Sequence, residues 1–256
     1  MLLSLDKGFV FLAAGKTGTS SVTAALLPYL TMERARVPFS IELAAPTHPE
    51  IEALFADESE ATSSESTIRG LAMLSACRAP FEIELTNKES GFALRTSVLT
   101  DLRHVPARTA RRLLGEAVWQ RAVKFAFVRN PWDWVLSNYA YRNRSRPIDR
   151  MDVEQVLWVR DHVSRRQLSV PYRTQHAFLC DEDGKVRLDY VGRYETLDRD
   201  FSELAARLAI DGQLEHLNQN DERPRTNFEA FYTDEAFRMV GELWAVDVES
   251  FGYART

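Results

Sequence analysis

Gly8-Phe9-Val10-Phe11-Leu12-Ala13-Ala14-Gly15-Lys16-Thr17-Gly18-Thr19-Ser20-Ser21 is the stretch on which the reading of this chain turns. Gly8 to Ala13 is a short apolar run, as expected of a buried strand. Small and polar residues follow, and then Val22, Leu26, Leu27 and Leu30 recur at helical spacing. The pattern is buried strand, tight loop, helix.

A second unit of the same kind begins at Val123-Lys124-Phe125-Ala126-Phe127-Val128 and breaks into a helix at Asn130-Pro131. Asn is a preferred helix N-cap, and Pro suits the first helical position because its missing N–H would be unpaired there anyway. A third strand is expected over Val186 to Val191, ending at Gly192 and leading through Thr196 into a helix with Phe201, Leu204, Ala205 and Leu208 on one face. Strand followed by helix, repeated, predicts an α/β fold with a mainly parallel sheet flanked by helices. His104-Val105-Pro106-Ala107 leads into a short Arg-rich helix that stops at Gly115, where a left-handed C-cap residue is expected. Met151 to Val163 and Asp234 to Val248 read as amphipathic helices, the latter with Phe237, Val240, Leu243 and Trp244 inward. Thr31 to Leu99 lacks this rhythm, and its acidic part, Asp57 to Thr67, reads as a surface loop or flap. The expectation is one domain over residues 1–256, with a variable insertion over about 31–99 that shapes a second substrate's site.

The chain has 256 residues, 45% of them hydrophobic, and a net charge of −5. With a pI near 5.7, it lacks the basic balance of a general nucleic-acid or anionic-membrane binder, so any anionic ligand must be held locally. Cys77 and Cys180 lie far apart without ligand spacing, so neither a disulfide framework nor a metal site is expected, and a reducing cytoplasm fits. Met1 to Ala14 is broken by Asp6 and Lys7, and no other stretch approaches the ~20 apolar residues of a membrane span. No signal peptide or membrane span is expected.

The junction after Ala13 is where backbone N–H groups and a helix dipole converge to hold a phosphate. Gly18 lets the backbone pass close to a ligand, the hydroxyls of Thr17, Thr19, Ser20 and Ser21 are candidate donors, and Lys16 brings a compact positive charge. A Walker A loop, GxxxxGK[ST], would need a glycine five positions before Gly15, and Val10 stands there. Arg129 falls at the C-terminal end of a predicted strand, where open α/β sheets bind ligands, and Ser137 follows eight residues later. Arg can clasp a phosphate bidentately, with Ser137 adding a hydroxyl if its helix face turns to the same crevice.

On these residues the chain resembles the bacterial and carbohydrate-type sulfotransferases that use 3′-phosphoadenosine 5′-phosphosulfate (PAPS). Lys16-Thr17-Gly18-Thr19-Ser20-Ser21 is similar to their KTGT[ST]S loop, with Gly15 where proline usually precedes the lysine. Phe127 to Tyr139 carries their Arg and Ser at the same spacing, and Asp189 to Glu195, Tyr232-Thr233 and Phe251-Gly252-Tyr253 look like further family segments. The resemblance covers most of the chain outside Thr31 to Leu99. It implies a P-loop-like three-layer fold, PAPS as sulfuryl donor leaving 3′-phosphoadenosine 5′-phosphate (PAP), and Arg129 with Ser137 as the 3′-phosphate site.

Sulfuryl transfer would demand in-line placement of the reacting oxygens and stabilisation of charge on the leaving phosphate. Lys16 is the candidate for the second task, and no metal is required. His104 is the candidate general base, since imidazole titrates near neutrality, with Glu82 and Glu84 as competitors. Arg193 and Glu195 read as a buried ion pair or a helix cap, and Asn218, Arg223 and Arg225 as solvated surface. The acceptor could be a saccharide, a lipid-linked glycan, a natural-product hydroxyl, a tyrosine or an amine, with specificity in Thr31 to Leu99 and around Asn143 to Asp149. Two rival readings are a P-loop small-molecule kinase using ATP with magnesium, and a non-catalytic nucleotide-binding module.

Overall fold

Phe9 and Phe11 of one strand, and Phe125 and Phe127 of another, point to one face of a sheet, while Val10, Ala126 and Val128 point to the other. That period of two sorts the helices into layers. The computed structural model describes residues 1–31, 36–45, 82–97, 104–143, 150–166, 174–210, 213–215, 217 and 228–254. In chain order these form strands β1 (Leu2–Ser4) and β2 (Phe9–Phe11), helix α1 (Thr19–Leu26), and strands β3 (Phe39–Ala45), β4 (Glu82–Asn87) and β5 (Ala93–Ser97). Helices α2 (Ala107–Leu114) and α3 (Glu116–Arg121), strand β6 (Val123–Val128), and helices α4 (Pro131–Arg142), α5 (Val153–Arg166) and α6 (Gln175–Leu179) follow. Strand β7 (Tyr190–Arg193) and helices α7 (Leu197–Leu208), α8 (Asp234–Leu243) and α9 (Ala245–Ser250) complete them. Asp57 to Thr67, Cys77, Asn218, Arg223, Arg225 and residues 144–149, all singled out from the sequence, lie outside the described residues.

Among the described residues the central sheet has the order β1-β2-β6-β7. β2, β6 and β7 run parallel, and β1 is an antiparallel edge. On the phenylalanine face, Val22 and Leu26 of α1 and Phe201, Leu204 and Leu208 of α7 close a core in which Phe11 stacks on Phe125 at 5.2 Å. Each such ring contributes roughly 1.5–3 kcal/mol by leaving water. On the other face, Ala110, Leu113 and Leu114 of α2 pack with Trp119, Phe178 and Leu179. A mostly parallel sheet between two helical layers is the three-layer α/β arrangement expected. A third core joins α4, α5 and α8 around Trp132, Val135, Val156, Val240 and Trp244.

Several elements differ from the sequence reading. The third strand is Tyr190–Arg193, running through Gly192 rather than ending before it, and Val186 makes only an isolated bridge to Cys180. Pairing starts where Asp189 accepts the Lys124 N–H on its side chain and donates its own N–H to the Lys124 carbonyl. Gly192 fits there because a Cβ would penetrate the Phe127 ring. Asp234 to Val248 is two helices, broken at Trp244 (φ −113°, ψ 26°), which keeps Trp244 buried against Trp134 and leaves Leu243 exposed. Gly115 has positive φ (76°) but ψ of 159°, outside the left-handed helical region, because it both ends α2 and begins α3. Helix α5 starts two residues later than expected, where Asp152 and Gln155 exchange side chain to backbone bonds of 2.9 Å, a reciprocal cap.

The insertion, for which no structure was anticipated, holds a second sheet: β3, β4 and β5 in antiparallel order. Asn87 joins it to the rest, its side-chain N–H donating to the Leu113 carbonyl at 2.7 Å while its oxygen accepts from Glu89 N, Ser90 N and Ser90 Oγ.

Candidate active site

Parallel pairing of β2 with β6 carries the chain after Phe11 and the chain after Val128 out of the same edge of the sheet. The loop after β2 turns at Lys16, whose φ of 68° is unusual for a residue with a side chain, and at Gly18, with φ 80° and ψ 13°. A Cβ at Gly18 would lie 2.6 Å from Leu197 Cδ2, so the loop lies flush against the start of α7. Two successive loop carbonyls are tied to α4 and its approach. Trp134 Nε1 donates to Gly15 O at 2.8 Å, and Arg129 Nη1 donates to Lys16 O at 3.1 Å. In a trans peptide the N–H opposes the C=O, so the amides of Lys16 and Thr17 are turned to the opposite side. Val22 is the first amide to close a bond within α1, to Gly18 O, so the preceding amides of that helix have no partner inside it.

The predicted hydroxyl donors divide. Thr17 is wholly buried and donates its hydroxyl to Ala14 O at 2.7 Å, leaving only its backbone to face a ligand. Ser21 Oγ accepts from Leu217 N at 3.0 Å, which leaves its O–H to donate. Thr19 and Ser20 are half-buried in the first turn of α1. Lys16 places its ammonium 3.9 Å from the centre of the Tyr141 ring, a cation–π contact.

Arg129 is 9% exposed and spends its donors in three directions. Nε pairs with Asp133 Oδ2 at 2.6 Å, and Nη1 bonds both Lys16 O and Ser137 Oγ, the latter at 3.0 Å. The guanidinium also lies on the Tyr194 ring at 3.9 Å. Nη2 has no hydrogen-bond partner among the described residues, and Ser137, having accepted, keeps its O–H to donate. Behind the guanidinium, the Gln175 side-chain amide makes two 2.8 Å bonds to the Arg129 backbone, one to N–H and one to C=O.

His104 sits beside the same loop, with Nδ1 2.5 Å from Ala13 O. A carbonyl only accepts, so Nδ1 carries the proton and Nε2 is the basic nitrogen. Of its carboxylate competitors, Glu84 lies in β4 and accepts from Arg95 Nη2 at 3.3 Å, and nothing is described of the Glu82 side chain. Glu195 does not pair with Arg193, contrary to one of the sequence expectations. It accepts from Asn130 N at 2.6 Å and from the Tyr253 hydroxyl at 3.1 Å. Burial, reinforced by that carboxylate, pushes the Tyr253 hydroxyl well above its ordinary range. Arg193 donates to the carbonyls of Phe251 and Gly252.

Sequence reasoning missed Asp133, Trp134, Tyr141, Gln175 and Tyr194. Only Asp133 carried a signal, standing four residues after Arg129 at the spacing of a helical ion pair.

The folded arrangement, a mostly parallel sheet with two strand-end loops meeting at one edge, defines the P-loop-like α/β class. Within it, the chain belongs to the sulfotransferase family, whose sequence profile matches residues 66–254. The matched span contains His104, Arg129 and Ser137, while Lys16 and its loop precede it. A protein of Archaeoglobus fulgidus described only as uncharacterized is 25% identical over 114 residues, 43% of this chain and 88% of its own length. No solved structure matches the chain. Among the described residues no helix is long and apolar enough to cross a membrane, and no cluster of His, Cys, Asp or Glu is arranged to hold a metal ion.

Proposed function

We propose that this chain transfers a sulfuryl group from PAPS to a hydroxyl or amine of an acceptor. The observation that carries the reading is the meeting of two strand ends in one side chain, Arg129 Nη1 lying 3.1 Å from Lys16 O and 3.0 Å from Ser137 Oγ. A nucleotide phosphorylated on both sides of its ribose requires two anion sites held at fixed separation. The donor set fits that demand. The turned loop amides and the N-terminus of α1 suit the 5′ side, and Arg129 Nη2 with the Ser137 hydroxyl suits the 3′-phosphate.

PAPS, when bound, supplies the activated sulfuryl group. Lys16 holds a positive charge beside the loop, where charge grows on the leaving oxygen, an interaction stronger in the transition state than before it. His104, fixed by Ala13 O, takes the acceptor's proton at Nε2 as the new O–S or N–S bond forms. In this reading residues 1–256 act as one domain, and the insertion with β3, β4 and β5 forms the acceptor's side.

The test is calorimetric. Wild-type protein should bind PAP more tightly than adenosine 5′-phosphate (AMP), and Arg129→Ala should weaken PAP by about 30-fold or more, the loss of a charge-assisted bond, but AMP by much less, since Trp134 still ties the loop through Gly15 O. Equal weakening of both nucleotides overturns the 3′-phosphate assignment. Tight magnesium-dependent binding of ATP, without binding of PAP, overturns the donor.

A further inference from the structure

Gln175 is 2% exposed, and its two side-chain bonds reproduce what a neighbouring strand would give Arg129: an acceptor for the N–H and a donor for the C=O, both at 2.8 Å. β6 ends at Val128, where its pairing with β7 stops at Val128↔Arg193, so Arg129 is the first residue past the ladder. Without Gln175 its peptide groups would be buried and unpaired, and the backbone would be free to turn. Gln175 is itself held. Its backbone N–H and that of His176 donate to the two oxygens of Asp247, at 2.9 and 2.7 Å, and Asp247 is wholly buried in the first turn of α9. Thr174 caps α6 by accepting from Ala177 N. The guanidinium is therefore aimed from two ends. Asp133, Ser137 and Lys16 O fix its head, and the Asp247–Gln175 pair fixes its root.

We infer that Gln175 is a positioning residue for the second anion site, and that Asp247 seats it, so that these two residues set the preference for a nucleotide carrying a 3′-phosphate. The inference rests on the reading of Arg129 given under the proposed function. Gln175 does not touch the ligand in this scheme. It acts through the peptide groups of Arg129, and a displacement of the guanidinium by an ångström or so is enough to lose a well-made bond.

The test compares PAP and AMP binding by calorimetry in the wild-type chain and in Gln175→Met, which keeps length and neutrality but removes both bonds. The expected result is a fall of about tenfold or more in the preference for PAP over AMP, with AMP affinity within about threefold of wild type. A residue that merely supports the fold would lower thermal stability and leave the ratio alone. If Gln175→Met does not fold, Asp247→Asn keeps the shape of the seat but only one acceptor oxygen for the Gln175 and His176 N–H groups, and the same fall in the preference for PAP is expected there. A wild-type preference for PAP that survives in the folded variant overturns the role of Gln175 while leaving the function standing. A wild-type chain that binds PAP and AMP equally overturns the 3′-phosphate reading, and this inference with it.

Discussion

Lys16 occupies left-handed backbone at φ 68°. For a residue with a Cβ that conformation costs about 1–2 kcal/mol, and the bonds from Arg129 and Trp134 to the flanking carbonyls hold it there. The strain and the charge can be separated by two substitutions. Lys16→Ala keeps the strain and Lys16→Gly relieves it, so by denaturant titration the glycine variant should be more stable than the alanine variant by about 1 kcal/mol. Both should lose sulfuryl transfer by about a thousandfold or more, as expected when a stabiliser of leaving-group charge is removed. Near-normal turnover in either variant refutes the role given to Lys16. At this scale the sequence was informative wherever a residue's chemistry is local. One loop joins Lys16 to Gly18 and one short stretch joins Arg129 to Ser137, each legible by itself, while the parallel pairing of β2 with β6 brings the two pairs together. Gln175 was invisible, since its partner is a backbone 46 positions away and no motif or spacing ties the two.

Helix α9 shows how an element can owe its place to one carboxylate. Asp247 is wholly buried, and burial outweighs the two backbone N–H bonds it accepts, pushing its carboxyl up to about 6. The folded chain thus binds this proton more tightly than the unfolded chain, in which the group titrates near 3.8. Between about pH 4 and pH 6 the folded state holds more of that proton, so this group's contribution to stability declines as pH rises through the window and levels off above it. The decline is on the order of 3 kcal/mol. Unfolding by denaturant at pH 4, 5, 6 and 7 should show Asp247→Asn lacking that part of the slope, and identical slopes in both proteins would refute it. The helix break that aims Asp247 at α6 could not be read from Asp234 to Val248, because apolar spacing continues through Trp244 and the break comes from that ring's packing on Trp134. Strand β7 was misplaced for a related reason. Val186 and Leu188 alternate like strand residues, yet Arg187 is drawn to Asp181 and Asp183, and pairing begins only after Asp189.

At the scale of the whole molecule, the described residues form two sheets and three packed cores, and Asn87 joins the second sheet to the helical layer. Asn87→Ala should lower stability by about 1–3 kcal/mol through the unpaired Leu113 carbonyl and the lost turn, measured by thermal unfolding. PAP affinity should be unchanged, because the joint lies outside the strand-end site; a parallel loss of affinity would show the insertion to be part of the nucleotide's pocket. The second sheet had a trace in the sequence, Ile83 and Leu85 alternating with Glu82, Glu84 and Thr86, but an alternation alone does not say which strands it pairs with.

The bonds that build the strand-end site join residues far apart in the chain: 113 positions from Arg129 to Lys16, 119 from Trp134 to Gly15, 72 from Gln175 to Asp247 and 58 from Tyr253 to Glu195. Closing so many long loops before any is rewarded makes for slow maturation. During synthesis on the ribosome, a nascent chain halted before residue 247 lacks the carboxylate that seats Gln175. In the proposed reading, the grip on the 3′-phosphate is therefore assembled only after Asp247 has emerged from the ribosome.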